Sequence, residues 1–502
     1  NIQSIVIGVV NNSGTTIYGK VLVNELRMTG VKKGRENSYK IIGSLNFADL
    51  MTISGDYEHE DAGFHTLQQR LGTGSAKDSY SATINLHPNI ILPARWGVNT
   101  PVNLYYSNTI YTPKYHPGSD VLAEADDTNF NIEDIQNRNE QISLSTSFSK
   151  NLRSTNWIIQ NTIDNISLGF SSTKTNKSDD QIFKETKQEY SVDGSYTYNW
   201  GEENYFSPFK FTKDWLILGN ILSETRYYYT PDKFSSSIVL NESDKLTTQR
   251  NVINGILPDP VNTYSFDLHR TFALKHKFTK ALKTNYTRNI SSDMEKFRSD
   301  KWKIIKDMDP GRIKSISEQF SNTYSPDFIK WLNPVFTFKP NYNWGLNTSD
   351  FKTANVQSSA IYKTTMGFKI QDFIELFYTP EDENKNDEKN NIQNRLTGLI
   401  FGNIHSLASK LQLKNIGSTY TYSTSHDYNN IQVGLSPSFL YRFGIQEFPL
   451  DGPGDLYDTT SANGSFAHSY SWDFKTNTNI TIFRSISASL EYKYANSLSK
   501  SS

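Results

Sequence analysis

Cysteine is absent from the 502 residues, which excludes disulfides, thiol catalysis and thiolate metal sites. Long apolar runs are also missing, because stretches such as Trp215–Leu218 and Leu399–Phe401 fall far short of the ~18 residues that a membrane-spanning helix needs. Neither charge sign dominates, with 51 Lys and Arg against 52 Asp and Glu. We therefore expect no nucleic-acid partner, since phosphate binding favours a basic surplus.

The residues that are plentiful are those typical of strands. Only 36% of the chain is hydrophobic, yet aromatic residues reach 13%, with 29 Tyr and 29 Phe. Ser, Thr and Asn are abundant among the rest. This mixture suits strands that have one apolar and one polar face.

Apolar and polar residues alternate with a period of two in several stretches, of which the clearest are Val192–Trp200, Phe336–Trp344, Ile416–Tyr422 and Ile480–Tyr494. Because successive strand side chains point to opposite faces, each stretch predicts a strand with one apolar face. Aromatic residues at the strand ends favour the two girdles of a membrane barrel over the core of a β-sandwich, where aromatics are also common. The predicted fold is an all-β, transmembrane antiparallel β-barrel.

The predicted connections between strands are of two kinds. Short turns are expected at Lys150–Ser154, Thr279–Ala281 and Arg484–Ser485. Long polar loops are expected at Ser119–Asn139, Ser171–Glu189, Asp232–Asn262, Ser291–Lys314, Pro380–Asn391 and Phe448–Asn463. Short turns at one end of the strands and long loops at the other are typical of outer-membrane barrels.

Two regions are expected along the chain. Residues 1–31 are predicted to form a small β module, or a strand that leads into the barrel. Residues 32–502 are predicted to form barrel strands with long polar loops. Ile41–Gly55 resumes the alternation and is expected to lie in the first spanning hairpin.

No arrangement of residues indicates an active site, so we predict that the chain is not an enzyme and needs no cofactor. His59 and His65 lie six residues apart among acidic neighbours, but Gly63 makes a surface loop the better interpretation than a metal site. The acidic stretch Asp120–Asp127 lacks the ligand spacing and central glycine of a Ca²⁺ loop. We therefore predict no metal site.

Four separate stretches of the first 115 residues resemble the SprA/Sov family, the translocon of the type IX secretion system. They are Leu22–Arg27 (with Asn24, Glu25, Leu26 and Arg27), Leu45–Gly55, Leu67–Arg70 (with Leu67, Gln69 and Arg70) and Tyr111–Tyr115 (with Thr112, Pro113, Lys114 and Tyr115). Ser265–Leu282 and Trp331–Trp344 are also similar to stretches of that family. Pro113 and Pro117 bracket Lys114 and Tyr115 in a rigid turn, which is either part of the wall or a contact for a plug or partner.

The resemblance implies a function. Members of the family are single chains that form very large outer-membrane barrels, and the largest known barrels have about 36 strands. They pass folded cargo proteins through a wide lumen in the bacterial outer membrane. Their partners include a PorV-like barrel and a Plug-like protein, and lipid and lipopolysaccharide surround them. This chain would supply part of such a barrel.

Two other interpretations remain open. The first is an autonomous outer-membrane transporter or porin barrel of about 16–22 strands. The second is a secreted β-sandwich adhesin, whose strand faces should carry more Val and Ile. The chain begins at Asn1 without a secretory signal and ends at Ser502 without a terminal aromatic, so we expect an internal fragment of a larger barrel.

Overall fold

Strands are the main secondary structure of the described residues in the computed structural model. The structure describes residues 8, 10–20, 34–69, 72–118, 121–123, 131–201, 203–213, 223–250, 257–326, 331–349, 351–375, 406, 416–450, 456–457, 464–483 and 486–501. Its strands are β1 (Ser38–Phe47), β2 (Met51–Glu60), β3 (Ser75–Leu86), β4 (Val98–Asn99), β5 (Val102–Pro113), β6 (Asn137–Lys150), β7 (Ile166–Ser178), β8 (Ile182–Asn199), β9 (Tyr205–Phe206), β10 (Tyr227–Tyr228), β11 (Lys233–Gln249), β12 (Val261–Lys277), β13 (Leu282–Asp293), β14 (Arg312–Tyr324), β15 (Val335–Leu346), β16 (Thr353–Phe368), β17 (Ile416–Gln432), β18 (Ser465–Phe483) and β19 (Ile486–Ser501).

Helices within the described ranges are short. They are α1 (Trp157–Asn161), α2 (Trp302–Asp307), α3 (Ile370–Glu375) and α4 (Phe439–Arg442). Single 3-10 turns occupy Pro88–Ile91, Ala94–Trp96, Ile132–Asp134, Ile163–Asn165, Lys210–Thr212 and Glu295–Phe297. Within the described ranges, none of these helices has the length and apolarity to span a membrane.

The chain divides into two compact units. Unit 1 comprises residues Asn1–Phe148, Gly169–Ser191 and Glu242–Tyr264, and unit 2 comprises Ser149–Leu168, Val192–Asn241 and Ser265–Ser502. In unit 1, β1, β2, β3, β5 and β6 pair in that order, and every pairing is antiparallel. Hairpins explain this order, because each strand returns beside the one before it.

In unit 2, strands β12 to β19 pair with their neighbours in chain order, again antiparallel throughout. The ladder between β14 and β15 is interrupted between the pairs Gln319–Asn341 and Asn322–Phe338. Pro340 lies in this gap. A proline has no N–H to donate, so it cannot complete the ladder on that side.

A small core lies where residues 433–450, part of the connection from β17 to β18, fold back over β15, β16 and β17. Its buried members are Tyr342, Ala354, Val356, Tyr428, Ile431, Tyr441 and Leu456. Most other described strand residues of unit 2 are only partly buried or exposed. The strands therefore carry little buried apolar packing apart from this connection.

Several predicted loops are wrong. Ser171–Glu189 forms most of a hairpin between β7 and β8, and Asp232–Asn262 contains β11. Polar residues fill both faces of these segments, so they lack the alternation that predicts a strand, although backbone pairing holds them extended. The turn predicted at Lys150–Ser154 is instead a connection that contains α1 and ends where β7 begins at Ile166.

The predicted asymmetry of the connections is present only in part. In unit 2, the turns after β12 and β18 are short at one end of the strands, and those after β13 and β17 are long at the other. The connection after β15 is short although it lies at the long-loop end, and the connection after β16 is long although it lies at the short-turn end. Pro380–Asn391 lies outside the described residues.

The predicted all-β, antiparallel architecture is confirmed, and Ile41–Gly55 lies in the β1–β2 hairpin as expected. The predicted β module at residues 1–31 lies mostly outside the described residues. The described stretch 10–20 contains a bend at residues 13–15. There the side-chain oxygen of Asn11 accepts the Ser13 N–H at 3.0 Å, and Gly14 takes a positive φ of 69°.

Candidate functional surfaces of the two units

Unit 2 presents an aromatic face, which we define by a row of rings that crosses four strands. Phe338, Tyr362, Tyr422 and Trp472 are register partners on β15 to β18. Their ring centroids lie 4.8, 5.9 and 5.5 Å apart, and each pair is stacked. Cross-strand aromatic pairs of this kind stabilise a sheet.

The aromatic face is open to the surroundings. Tyr362 is 36% exposed, and on β19 Tyr492 and Tyr494 are 58% and 53% exposed. Leu490 and Leu498 on the same face are also exposed. A contiguous exposed apolar surface on a folded chain indicates contact with a partner or a membrane.

The opposite side of the same strands is the polar face, which we define by a row of hydroxyl groups. Ser359, Ser425, Ser469 and Ser499 are register partners on β16 to β19. Nearer the long loops, this face encloses a concavity of 670 Å³. The polar-face side chains around it are Ser315, Ser317, Asn343, Asn355, Gln357, Asp427 and Asn429.

Charged groups also belong to the polar face. On β18, Lys475 lies next to Phe474 but points to the opposite side, and its Nζ is 2.7 Å from Glu491 of β19. The Nζ of Lys493 is 3.0 Å from the same carboxylate. Lys475 pairs with Lys493 in register, and Phe474 pairs with Tyr494. At adjacent positions of β18 and β19, therefore, the polar face carries charged side chains and the aromatic face carries rings.

Residues 433–450 are held against the aromatic face by α4. Tyr441 is fully buried and its hydroxyl donates to the backbone oxygen of His426 at 2.7 Å. Burial raises the pKa of Tyr441, so the hydroxyl keeps the proton that it donates. The backbone oxygen of Tyr441 accepts a hydrogen bond from Ser358.

The next residue, Arg442, makes a charged contact. Its Nε donates to Glu318 of β14 at 2.9 Å, and its second guanidinium nitrogen also binds that carboxylate. Arg288 of β13 approaches the same group at 3.2 Å. Glu318 is only 2% exposed. Two arginines around one buried carboxylate form a strong charge-assisted contact.

Unit 1 has the same two-faced construction. Leu45, Ile53, Ile84, Leu104 and Leu144 form a single aliphatic row across β1, β2, β3, β5 and β6. The adjacent row on the opposite face consists of Ser44, Ser54, Thr83, Tyr105 and Ser143. Four of these five residues are Ser or Thr, so one face is apolar and the other is rich in hydroxyl groups.

The aliphatic face of unit 1 ends in polar contacts. Asp78 accepts from the Tyr57 hydroxyl at 2.9 Å and lies 2.8 Å from Nδ1 of His59. Asp61 lies 3.1 Å from Nε2 of His59 and accepts the Asn37 N–H at 2.6 Å. The Asn37 N–H and then His59 lower the pKa of Asp61. His59 thus has two carboxylate partners.

No group of three or more metal-ligating side chains occurs among the described residues. His65, the other histidine considered as a ligand, has its Nδ1 3.1 Å from the Gly63 oxygen. Both histidines therefore have protein partners.

The predicted site residues that the structure describes lie in two neighbouring segments, the β2–β3 loop and the end of β5. Asn24, Glu25, Leu26, Arg27 and Arg70 lie outside the described residues. Leu67 is fully exposed, and the side chain of Gln69 accepts the Thr66 N–H at 3.2 Å. Both belong to the loop that leads from β2 to β3.

Thr112–Tyr115 lies at the end of β5. Thr112 accepts from the Gln136 amide at 3.0 Å, and Pro113 pairs with Ser75 in register. The Lys114 N–H donates to the oxygen of Gly74 at 2.9 Å, and its Nζ lies 3.5 Å from Glu36. Tyr115 forms an isolated bridge with Leu122. Thr112–Tyr115 thus contacts the β2–β3 loop through Gly74.

Sequence reasoning missed the contact of Glu318 with Arg288 and Arg442. One signal was available, because Glu318 occupies an apolar-face position between Ile316 and Phe320 in an alternating strand. A carboxylate there requires a partner. The identity of the partner was hidden, since Arg442 lies 124 residues away in sequence.

Comparison with known proteins gives one family. Residues 1–126 match the family model SprA_N, described as a motility related/secretion protein. No curated protein matches. Among solved structures, a copper transporter, OprC, aligns over 94% of this chain and 82% of its own, at 8% identity and a TM-score of 0.26, a likeness too low to carry an argument. This match confirms, over residues 1–126, the resemblance to the SprA/Sov family that the sequence motifs predict.

Proposed function

We propose that the chain supplies wall strands of a β-barrel in the bacterial outer membrane that conducts secreted proteins as part of the type IX translocon. The observation that carries this proposal is the two-faced sheet, in which the side chains of both the apolar and the hydroxyl-rich rows are exposed or only half-buried. A soluble sandwich would bury its apolar face against a second sheet. In a barrel wall, lipid covers the apolar face and water fills the lumen.

The dimensions of β19 support a membrane span. Its aromatic face runs from Ala488 to Leu498 before Lys500 introduces a charge. The ten residue-to-residue rises between Ala488 and Leu498, at ~3.3 Å each, extend about 33 Å. A tilt of ~40° reduces this to a height of about 25 Å, which equals the apolar band of outer-membrane barrels.

The polar face suits the passage of proteins. Its serine row and its charged groups hold water, and few exposed apolar side chains, such as Ile361, interrupt it, so a passing chain would find little apolar surface to which it could adhere. Secreted cargo would move along this face, while lipid and lipopolysaccharide would contact the aromatic face. A PorV-like barrel and a Plug-like protein would be the protein partners. The chain would act by shape, with no catalytic group and no cofactor.

The absence of cysteine from these 502 residues allows a direct test, made in the full protein in its own outer membrane after any cysteine outside this stretch is replaced by serine. Single cysteines replace Tyr422 on the aromatic face and its neighbour Ser423 on the polar face. A water-soluble maleimide is expected to label Ser423→Cys and to spare Tyr422→Cys. Equal labelling of both would show that water covers both faces, which would contradict the membrane wall.

The same variant tests the cargo. A bulky maleimide on Ser423→Cys is expected to reduce secretion of cargo proteins, because it narrows the lumen. The unlabelled variant is the control. If secretion continues while uptake of small solutes falls, the chain belongs to an autonomous porin or transporter barrel instead.

A further inference from the structure

The aromatic face of unit 2 contains a groove between β17, β18 and β19. It has a volume of 310 Å³ and is lined by Tyr420, Trp472, Phe474, Tyr494 and Asn496. Its size reaches the lower end of the range for small-molecule sites. Its residues all lie on the side that the proposed function assigns to lipid.

One residue explains why the groove exists. Tyr422, Trp472 and Asn496 are register partners, so the row of stacked rings ends at a short amide. In the adjacent row, Tyr420, Phe474 and Tyr494 continue as aromatic side chains across all three strands. The missing ring at Asn496 leaves space beside Trp472.

We propose that this groove binds one acyl chain of an anionic outer-membrane lipid. The inference rests on the proposed function, because it requires the aromatic face to meet the membrane. The lining contains no charged side chain, and its rings offer apolar contact to a hydrocarbon chain. It therefore fits methylene groups.

Asn496, the polar residue that lines the groove, indicates which chemical group lies at the head of the acyl chain. Asn496 is exposed on this face, and an amide in a hydrocarbon environment is costly unless it is hydrogen-bonded. The ester, amide or hydroxyl group at the head of an acyl chain would provide that bond. Lys500 lies four residues further along the same face of β19, at about 13 Å, where its ammonium would meet the lipid phosphate.

The test uses full-length protein purified from its own outer membrane in a mild detergent, with retained lipid counted by native mass spectrometry. Asn496→Phe fills the groove. The matched control is Leu490→Phe, which adds a ring on the same face of β19 away from the groove lining. The native protein and the control are expected to retain lipid, and Asn496→Phe to retain about tenfold less, since it displaces several methylene contacts. Equal retention by all three proteins, or equal loss in both variants, would overturn the proposal.

A photoreactive phenylalanine at Tyr494 identifies the occupant. A lipid adduct is expected, and an adduct to a second polypeptide would mean that the groove docks a protein instead. Labelling of the Tyr422 and Ser423 cysteine variants separates the two proposals. If Ser423→Cys is labelled and Tyr422→Cys is not, but Asn496→Phe retains as much lipid as the native protein, only the lipid groove is contradicted. If Tyr422→Cys is labelled, the proposed membrane wall is contradicted as well.

Discussion

At the level of single residues, Glu318 is the clearest exception to the pattern of its strand. It lies on the aromatic face and is buried, where an unpaired carboxylate would be unstable. Arg442 and Arg288 compensate its charge. Because Arg442 belongs to α4, the same contact fastens residues 433–450 to the strands.

Removing one partner of this contact should release that segment. We expect Arg442→Ala to cost about 3 kcal/mol, because Glu318 keeps its burial and loses its main partner. Proteolysis within residues 433–450 should then become about a hundredfold faster. Lys363→Ala on the polar face of β16 serves as the control. Cleavage of Arg442→Ala at the control rate would show that the contact does not hold the segment.

Asp61 permits a prediction about pH. Its folded pKa is lowered by the Asn37 N–H and by His59, so its stabilising contribution is complete above the unfolded pKa of ~3.9 and is lost as the pH falls through the folded value. Hydrogen exchange of the Asn37 amide should be about fivefold slower in the native chain than in Asp61→Ala at neutral pH. The two rates should converge below the folded pKa. If the ratio of the two Asn37 exchange rates stays the same in acid, Asp61 does not stabilise this amide. Amides of β13 serve as the internal control.

At the level of strands, alternation predicts those whose two faces differ. Phe336–Trp344 and Ile416–Tyr422 lie within β15 and β17 as predicted. The end of β7, the first half of β8 and all of β11 were predicted as loops, because residues such as Lys174–Ser178 and Lys184–Glu189 are polar on both faces. Their strands come from pairing with neighbours, which a single segment does not reveal.

Only part of the functional surfaces could be predicted from the sequence. The apolar and polar faces follow from alternation in each strand, since Tyr420 and Tyr422 must share a side. The rows across strands do not follow, because register depends on the whole set of pairings. The groove beside Asn496 depends on a row that joins residues far apart in sequence, so it became visible only in the structure.

The register itself can be tested with cysteine pairs. Ser471 and Ser497 are partners on β18 and β19, so their Cα atoms should lie within the ~4.4–6.8 Å that a disulfide spans. Oxidation should therefore cross-link the pair Ser471→Cys and Ser497→Cys. Asn496 points to the opposite face, so a cysteine there should not cross-link to Ser471→Cys. Efficient linkage of that control pair would indicate a register shifted by one residue.

At the level of the whole molecule, the two units repeat one design. The aliphatic row from Leu45 to Leu144 in unit 1 corresponds to the aromatic row from Phe338 to Trp472 in unit 2, and each is backed by hydroxyl groups. A sheet that presents both kinds of face is stable only if each face meets a suitable medium, which under the proposed function is lipid on one side and water on the other. Residues 433–450 cover only a small core on part of β15, β16 and β17, so the other described strands still need a suitable medium on each face.

An arginine introduced on one face or the other should show which face meets lipid and which meets water. Tyr420 lies on the aromatic face of β17 and its neighbour Thr421 on the polar face, where Thr421 pairs with Lys363 and Asp473. We expect Tyr420→Arg to cost about 2–4 kcal/mol, because its guanidinium would enter hydrocarbon. The yield of assembled protein in the outer membrane should fall. Thr421→Arg should assemble normally, since its charge meets water, and equal yields would contradict a wall with lipid on its aromatic face.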